Sequence, residues 1–341
     1  RGDMSEASIA AGRISGSGRL ASPIRLLRQY GVFGLVALFA VAILGNGMSG
    51  EYQRFVGIQV LVSALLAVSF RGLFRIGVFS LAGPGFMGLG AYAYALLQLE
   101  AQLAPALAFV GSLTVSLAIA CVAGPIVWRV SRIYLALLTL SFVVILTILY
   151  GEMKITGGHG GRYGVAPMIA SGSEGWGWFL FCLGASVAAL VILAVVERSR
   201  LGRAWRAIGV DTQFADSVGV RSKAHSYWAF TLYSVVAAFA GILLAGNNGY
   251  VYPEAFGFER VVFMLLCVYV GGVATFVGPL VGALFVGWLQ ESLSAYEQYT
   301  MFILGSTLVV VVLIFPNGLA SIPGAAIRLA RRFTYRVGSS R

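Results

Sequence analysis

The sequence predicts an all-α polytopic membrane protein, and three observations predict it. Hydrophobic residues make up 59% and charged residues 11% of the 341 positions, against roughly 25% charged in an ordinary soluble domain. One soluble core could not hide that much apolar surface, whereas lipid solvates it. The charges are also bunched. Uncharged stretches run 29–50, 55–70, 76–99, 101–128, 133–151, 175–196, 261–290 and 298–327, and 224–253 is broken only by His225. Most are long enough for a membrane-crossing helix of about 20 residues. Finally, the basic residues fall on alternate connections between these stretches.

Placing spans at 31–48, 55–70, 76–97, 105–128, 133–150, 176–196, 227–246, 261–275, 277–295 and 299–315, with the N-terminus inside, makes that alternation explicit. The inside segments then hold Arg25, Arg28, Arg71, Arg75, Arg129, Arg132, the block Arg198 to Lys223, and Arg328, Arg331 and Arg332. Outside fall only Arg54, Lys154, Arg162 and Arg260, while Glu51, Glu100, Glu152, Glu174, Glu254, Glu259, Glu291 and Glu297 collect there. Lysine and arginine are retained on the cytoplasmic side, so the net charge of +11 reads as an orientation signal and not as a nucleic-acid footprint. The shortest stretch, 55–70, is flanked by Arg54 and Arg71, expected to snorkel outward and extend it. Segment 261–290 reads either as two short spans or as a re-entrant hairpin. A single crossing would put the basic tail outside, so ten spans are expected, with eight plus a hairpin as the alternative.

The domain reading follows. Residues 1–30 form a cytoplasmic arm, Gly/Ser-rich and unlike a cleaved signal peptide. Residues 31–319 form the transmembrane domain, and 320–341 a basic cytoplasmic tail. Cys121, Cys182 and Cys267 all lie in apolar stretches, as small packing residues do, with no disulfide framework or metal spacing.

Three glycine-rich stretches lie in or beside the membrane. The first, Ser80 to Tyr92, holds Gly83, Pro84, Gly85 and Gly88; the second holds Gly157 and Gly158; the third, Gly271 to Ala283, holds Gly271, Gly272, Gly278 and Pro279. Glycine lets helices approach closely, and proline removes a backbone donor. Unpaired backbone at membrane depth is tolerated only where it is buried in protein or lines a wet cavity. Gly/Pro breaks at corresponding places in two halves therefore point to a translocation path, with tight helix packing as the alternative for each single glycine.

The loop 197–226 is far longer than a chain reversal needs. Asp211 can cap a short helix, with Thr212, Phe214, Ala215 and Asp216 in its early turns and Gly219 just past its end. Phe214 and Val218, four apart, give that helix an apolar stripe. It is either a lever docking into a cytoplasmic partner or an amphipathic helix lying on the membrane.

Several chemistries are excluded. Neither Lys154 nor Lys223 follows a glycine, so the chain has no phosphate-binding G-x-x-x-x-G-K-[ST] loop. The middles of the expected spans lack Asp, Glu, Lys and Arg, whereas ion-coupled carriers usually keep one there. His159 stands in a glycine loop without ligands at metal spacing, and no Ser/His/Asp or Cys/His set is present. No catalytic or metal site is expected.

Ordered blocks from about 58 to 319 resemble the permease subunits of branched-chain amino acid ABC importers, of the LivM type. They are Leu81–Tyr92, Tyr134–Phe142 leading to Thr156-Gly157-Gly158, Gly202–Ile208 leading to Gly219, Ala240-Gly241-Ile242 to Tyr250, Pro253–Phe256, Gly271-Gly272 with Gly278-Pro279 and Gly282-Ala283, and Phe315–Leu319. The resemblance implies a type II importer fold in a bacterial cytoplasmic (inner) membrane. It also implies a second, LivH-like permease, two P-loop ATPases that hold ATP and magnesium, and a soluble periplasmic or extracellular binding protein. No cofactor would bind this chain itself. Asp211 to Gly219 matches the loop that engages the ATPase. Family members usually carry charges where this chain has Gly209 and Val210, and alanines where it has Phe214 and Ser217, which implies a dedicated ATPase partner. Relatives handle urea, short amides and organic acids as well as branched-chain amino acids. A stand-alone channel would explain the glycine-lined spans, but not the long basic loop with its own capped helix.

Overall fold

The computed structural model describes residues 34, 36–45, 50–130, 132–169 and 176–293, with isolated helical positions between 302 and 313. The expected arm, the basic tail, most of the last span and the Phe315–Leu319 ending lie outside the described residues. In chain order the helices are α1 (Val36–Gly45), α2 (Glu51–Ile76), α3 (Gly83–Leu99), α4 (Pro105–Ala123), α5 (Ile126–Arg129) and α6 (Arg132–Glu152). They continue as α7 (Trp176–Arg198), α8 (Arg200–Val210), α9 (Thr212–Ser217), α10 (Ser222–Asn248), α11 (Phe258–Gly271) and α12 (Gly278–Ser292).

Five of these, α2, α4, α6 from Tyr134, α7 and α10, are long and apolar enough to cross a membrane. The chain is an all-α, multi-pass membrane protein. The helices α11 and α12 have 14 and 15 residues. At 1.5 Å per residue they reach about 21–22 Å, short of a hydrocarbon core of about 30 Å. They are joined through residues 272–277 and pack as an antiparallel pair. A Cβ on Gly271 would overlap the Gly278 carbonyl oxygen, and one on Gly282 that of Cys267.

Charge marked two helix boundaries wrongly. The expected span 55–70 is the middle of α2, whose 26 residues run through both flanking arginines. Neither snorkels: Arg54 stacks over Trp176, 4.7 Å from the ring centroid, and Arg71 is 0% exposed. The expected span 76–97 begins as non-helical backbone, because α2 stops at Gly77 (φ 86°) and α3 starts only at Gly83-Pro84. Gly77 in the left-handed region lets its N–H reach Leu73 O and Phe74 O and close the helix. The same spacing recurs downstream, where Gly272 (φ 101°) follows α11 and Gly278-Pro279 opens α12.

The long buried helices α2 and α10 form the centre of the bundle. On α4 the buried residues are Ala108, Ser112, Ser116 and Ala120. Four-residue spacing of small side chains makes one flat stripe on which neighbours approach closely. Large apolar residues on the outer faces of α4, α6 and α7, among them Val110, Ile145, Ile148 and Ile192, are exposed, as a lipid-facing surface requires. The first glycine stretch closes a second contact, since a Cβ on Gly90 would overlap Ala238 O and one on Gly241 would overlap Met87 O. This brings α3 against α10.

The connections sort into two ends. At one end Arg162 pairs with Glu100, and Tyr52 Oη donates to Glu291 Oε2 at 3.1 Å. There the two-residue strands β1 (Arg162–Tyr163) and β2 (Tyr250–Val251) also pair antiparallel. At the other end lie Arg75, Glu197 and the α8–α9 loop. These are the acidic and arginine-rich ends that the charge pattern separates.

Candidate functional site

The arginine-rich end is built on one buried cluster. Arg71 Nη1 lies 2.6 Å from Glu197 Oε1, and Arg75 Nη1 lies 3.4 Å from Glu197 Oε2. Tyr233 Oη donates to Glu197 Oε1 at 3.4 Å, and Arg71 Nε donates to Val273 O at 3.2 Å. Four elements therefore converge: α2, the last turn of α7, α10, and the 272–277 break. A guanidinium buried in an apolar bundle requires such partners, because an unpaired one costs several kcal/mol, of order 3–5 when a partner is removed. In the sequence these arginines read as orientation signals, and the cluster does not show. The available signal was the lone acid at 197 beside a basic block, opposite two arginines one turn apart on α2.

The loop sits directly on this cluster. Ser199 caps α8, its Oγ accepting from Leu201 N at 3.2 Å. The inward face of α8 is Gly202, Trp205 and Ile208, with the Trp205 ring 6.0 Å from that of Tyr233. Gly209 packs against the Arg75 carbonyl so closely that a Cβ would overlap it. A charged side chain does not fit there.

Asp211 then caps α9, with Oδ1 accepting from Gln213 N at 2.8 Å and Phe214 N at 3.1 Å. The six-residue helix is shorter than expected, so Asp216 falls near its end instead of in its early turns. Its carboxylate turns to the start of α10, accepting from Ser222 N at 3.0 Å and Ser222 Oγ at 2.9 Å. The Ser222 backbone N–H, then its hydroxyl, then Lys223 hold Asp216 below the usual carboxylate range. Gly219 (φ 87°) lies past the end of α9. Ala215 is buried, Thr212 is exposed, and Phe214 and Val218 are 64% and 60% exposed. The loop thus presents two apolar side chains to its surroundings from a rigidly capped turn. Gly219 also borders a cavity of about 590 Å³ shared with Trp205, Arg221, His225 and Trp228.

The glycine stretches occupy packed positions. Pro84, Gly85 and Gly88 on α3 are buried and Gly83 is half-buried. Gly85 faces Phe142 and Val143, and Gly88 faces Phe256 and Tyr150. Gly271, Gly272, Gly278 and Pro279 are buried at the α11–α12 junction. Gly157 and Gly158 shape the 310 turns at the acidic end, where a Cβ on Gly157 would overlap Gly161 O. Nearby, His159 Nδ1 lies 3.5 Å from Glu254 Oε1. A cavity of about 720 Å³ opens at the acidic end between α2, the 250–256 loop, α11 and α12. None of the glycines or prolines singled out from the sequence lines it. Gln59 Nε2 donates to Asn248 Oδ1 at 3.1 Å on its wall.

Among the described residues no group of three or more His, Cys, Asp or Glu stands close enough to hold a metal ion. Cys182 and Cys267 are buried and Cys121 half-buried, all as free thiols.

Comparison with known proteins identifies the family of the chain. A family model described as branched-chain amino acid transport system / permease component matches residues 55–312. The high-affinity branched-chain amino acid transport system permease protein LivM of Escherichia coli (strain K12) is 27% identical over 327 residues, covering 86% of this chain and 76% of that protein. The permease protein LivH of Salmonella typhimurium is 28% identical over 139 residues, 40% of this chain and 45% of that one. The autoinducer 2 import system permease protein LsrC of Photorhabdus laumondii is 28% identical over 122 residues, 34% of this chain and 35% of the relative. No solved structure matches. The chain belongs to the family of permease components of branched-chain amino acid transport systems.

Proposed function

We propose that this chain is the translocating subunit of a binding-protein-dependent ABC importer in a bacterial cytoplasmic membrane, with its arginine-rich end in the cytoplasm. As a member of its family it is a non-catalytic membrane permease subunit. In the proposed assembly it pairs with a second, LivH-like permease and two P-loop ATPases, and receives its solute from a soluble binding protein docked at the acidic end. The solute is a branched-chain amino acid or a related small polar molecule.

The observation that carries the reading is the continuity between the α8–α9 loop and the membrane helices. Phe214 and Val218 stand exposed on a capped turn. Through α8 that turn rests on Arg75 O at Gly209, and on Tyr233 at Trp205. Tyr233 and Arg75 share Glu197 with Arg71, whose Nε holds Val273 in the α11–α12 junction. ATPase closure acting on Asp211–Gly219 would thus shift the hairpin beside the acidic-end cavity. The close glycine contacts at 271, 278 and 282 would move that hairpin as one body.

The test is uptake into liposomes holding the complete assembly. The double variant Phe214→Asp, Val218→Asp is expected to lose at least about tenfold of ATP-driven uptake, as burying an unpaired charge in a docking face costs more than 1.4 kcal/mol. Full uptake by that variant would sink the lever. Uptake by this chain alone without ATP would favour the channel reading.

A further inference from the structure

We infer that Arg260 is the residue with which this permease grips its solute, and that the solute carries a carboxylate; the inference rests on the permease reading above. Arg260 lies in the first turn of α11 and in the wall of the 720 Å³ cavity. Its Nε donates to Ala255 O at 3.2 Å, and its guanidinium stands 5.7 Å from the centroid of Phe263. These two contacts fix the plane of the fork. They leave its terminal nitrogens open to the cavity, with no hydrogen-bond or ion-pair partner among the described residues.

The other arginines near that end or in the bundle differ. Arg162 pairs with Glu100, Arg54 stacks on Trp176, and Arg71 is held by Glu197 and Val273. Arg260 alone among these four presents an unspent pair of donors to an open cavity. A planar fork with two parallel N–H groups matches a carboxylate in a bidentate pair, which is shorter and roughly twice as strong as a neutral hydrogen bond. A neutral amide or urea supplies one uncharged acceptor and leaves the guanidinium under-satisfied, and sites of that kind reject such analogues strongly.

The remaining lining agrees. Glu254, Glu259 and Glu291 bring negative charge to the same cavity, Glu291 accepting from Tyr52 Oη and Glu254 lying 3.5 Å from His159 Nδ1, and Val56, Phe263 and Leu266 bring apolar wall. A solute with a carboxylate for Arg260, an ammonium for Glu254 or Glu259 and an apolar body would meet a partner for each part. A simple organic anion would meet two of the three.

The experiment measures equilibrium binding of L-leucine, benzoate and urea to the permease–ATPase complex in detergent, without binding protein. ATP hydrolysis stimulated by the binding protein is followed in parallel. L-leucine or benzoate is expected to bind saturably and urea not at all. Arg260→Gln should weaken the carboxylate probe about tenfold or more, and Arg260→Lys, which keeps charge without the fork, should recover part of the loss. If Arg260→Gln fails to assemble, the lysine variant decides by its weaker binding. Urea binding as well as the carboxylates, no binding of either carboxylate, or unchanged binding in both variants would each overturn the inference. Stimulated hydrolysis with no uptake of any solute by the reconstituted wild type would instead overturn the permease reading.

Discussion

Arg71 and Glu197 stand 126 positions apart in sequence, yet meet at 2.6 Å as a buried ion pair that ties α2 to the last turn of α7. Arg71 is fully buried, so removing one partner leaves an uncompensated charge, at a cost of about 3–5 kcal/mol. Glu197→Gln and Arg71→Met should each lower the melting temperature of the purified protein. The double variant should be less destabilised than the sum of the two, because it removes both charges. Additive single effects would mean that the pair is not energetically coupled.

The close crossings offer a second test. Gly241 and Gly282 sit where a Cβ would meet a backbone oxygen of the facing helix, whereas Gly184 has nothing within 4 Å. Backbone cannot give way as a flexible side chain does. Gly241→Ala and Gly282→Ala should each cost about 1–3 kcal/mol by overpacking, read as reduced thermal stability. Gly184→Ala should be neutral or slightly stabilising, since alanine is the better helix former.

What the sequence revealed and what it concealed divide along physical lines. The membrane class and the separation of acidic from basic ends rest on composition, which needs no tertiary contact, and both were legible. So was the capped turn: Asp211 and Gly219 are local signals that act within a few residues. Helix boundaries at Arg54 and Arg71 were not legible, because a charge in the sequence does not by itself mark the membrane surface. A charge can instead be neutralised by a partner on another helix, and Glu197 supplies it for Arg71. The cavity at the acidic end was invisible for the same reason. Its lining comes from α2, the end of α10, α11, α12 and a loop, and no contiguous motif encodes that meeting.

The cap itself can be removed. Asp211 satisfies two otherwise orphaned donors at the start of α9, from Gln213 and Phe214. Asp211→Ala should cost about 1 kcal/mol locally, seen as roughly fivefold faster amide exchange at those two positions with little change in global stability. Asp211→Asn, which keeps an acceptor oxygen, should behave almost as the parent.

Asp216 gives a pH signature. Its carboxylate is held below its ordinary value by the two donors of Ser222 and by Lys223. A depressed folded-state value means the contribution is complete above the unfolded value, about 3.9, and is lost as pH falls through the lower folded one. A spin label at Val218 should therefore stay immobile down to about pH 4 and loosen only below it. In Asp216→Asn the label should be looser at neutral pH and respond less to acid. Identical profiles would exclude the carboxylate as the clasp on α10.

Orientation is the prediction on which the importer reading depends most. Val218 and Tyr163 are 60% and 71% exposed and lie at the arginine-rich and acidic ends respectively. Basic residues are retained on the cytoplasmic side during insertion, and the loop 198–223 carries six arginines or lysines besides Arg71 and Arg75 across from it. With Cys121, the half-buried thiol, replaced by alanine, a membrane-impermeant maleimide should label Tyr163→Cys on intact cells. It should label Val218→Cys only after the membrane is opened. The buried Cys182 and Cys267 should stay silent in both. Labelling of Val218→Cys from outside would place the loop beyond the reach of any cytoplasmic ATPase, and the exposed Phe214 and Val218 would then require a different partner.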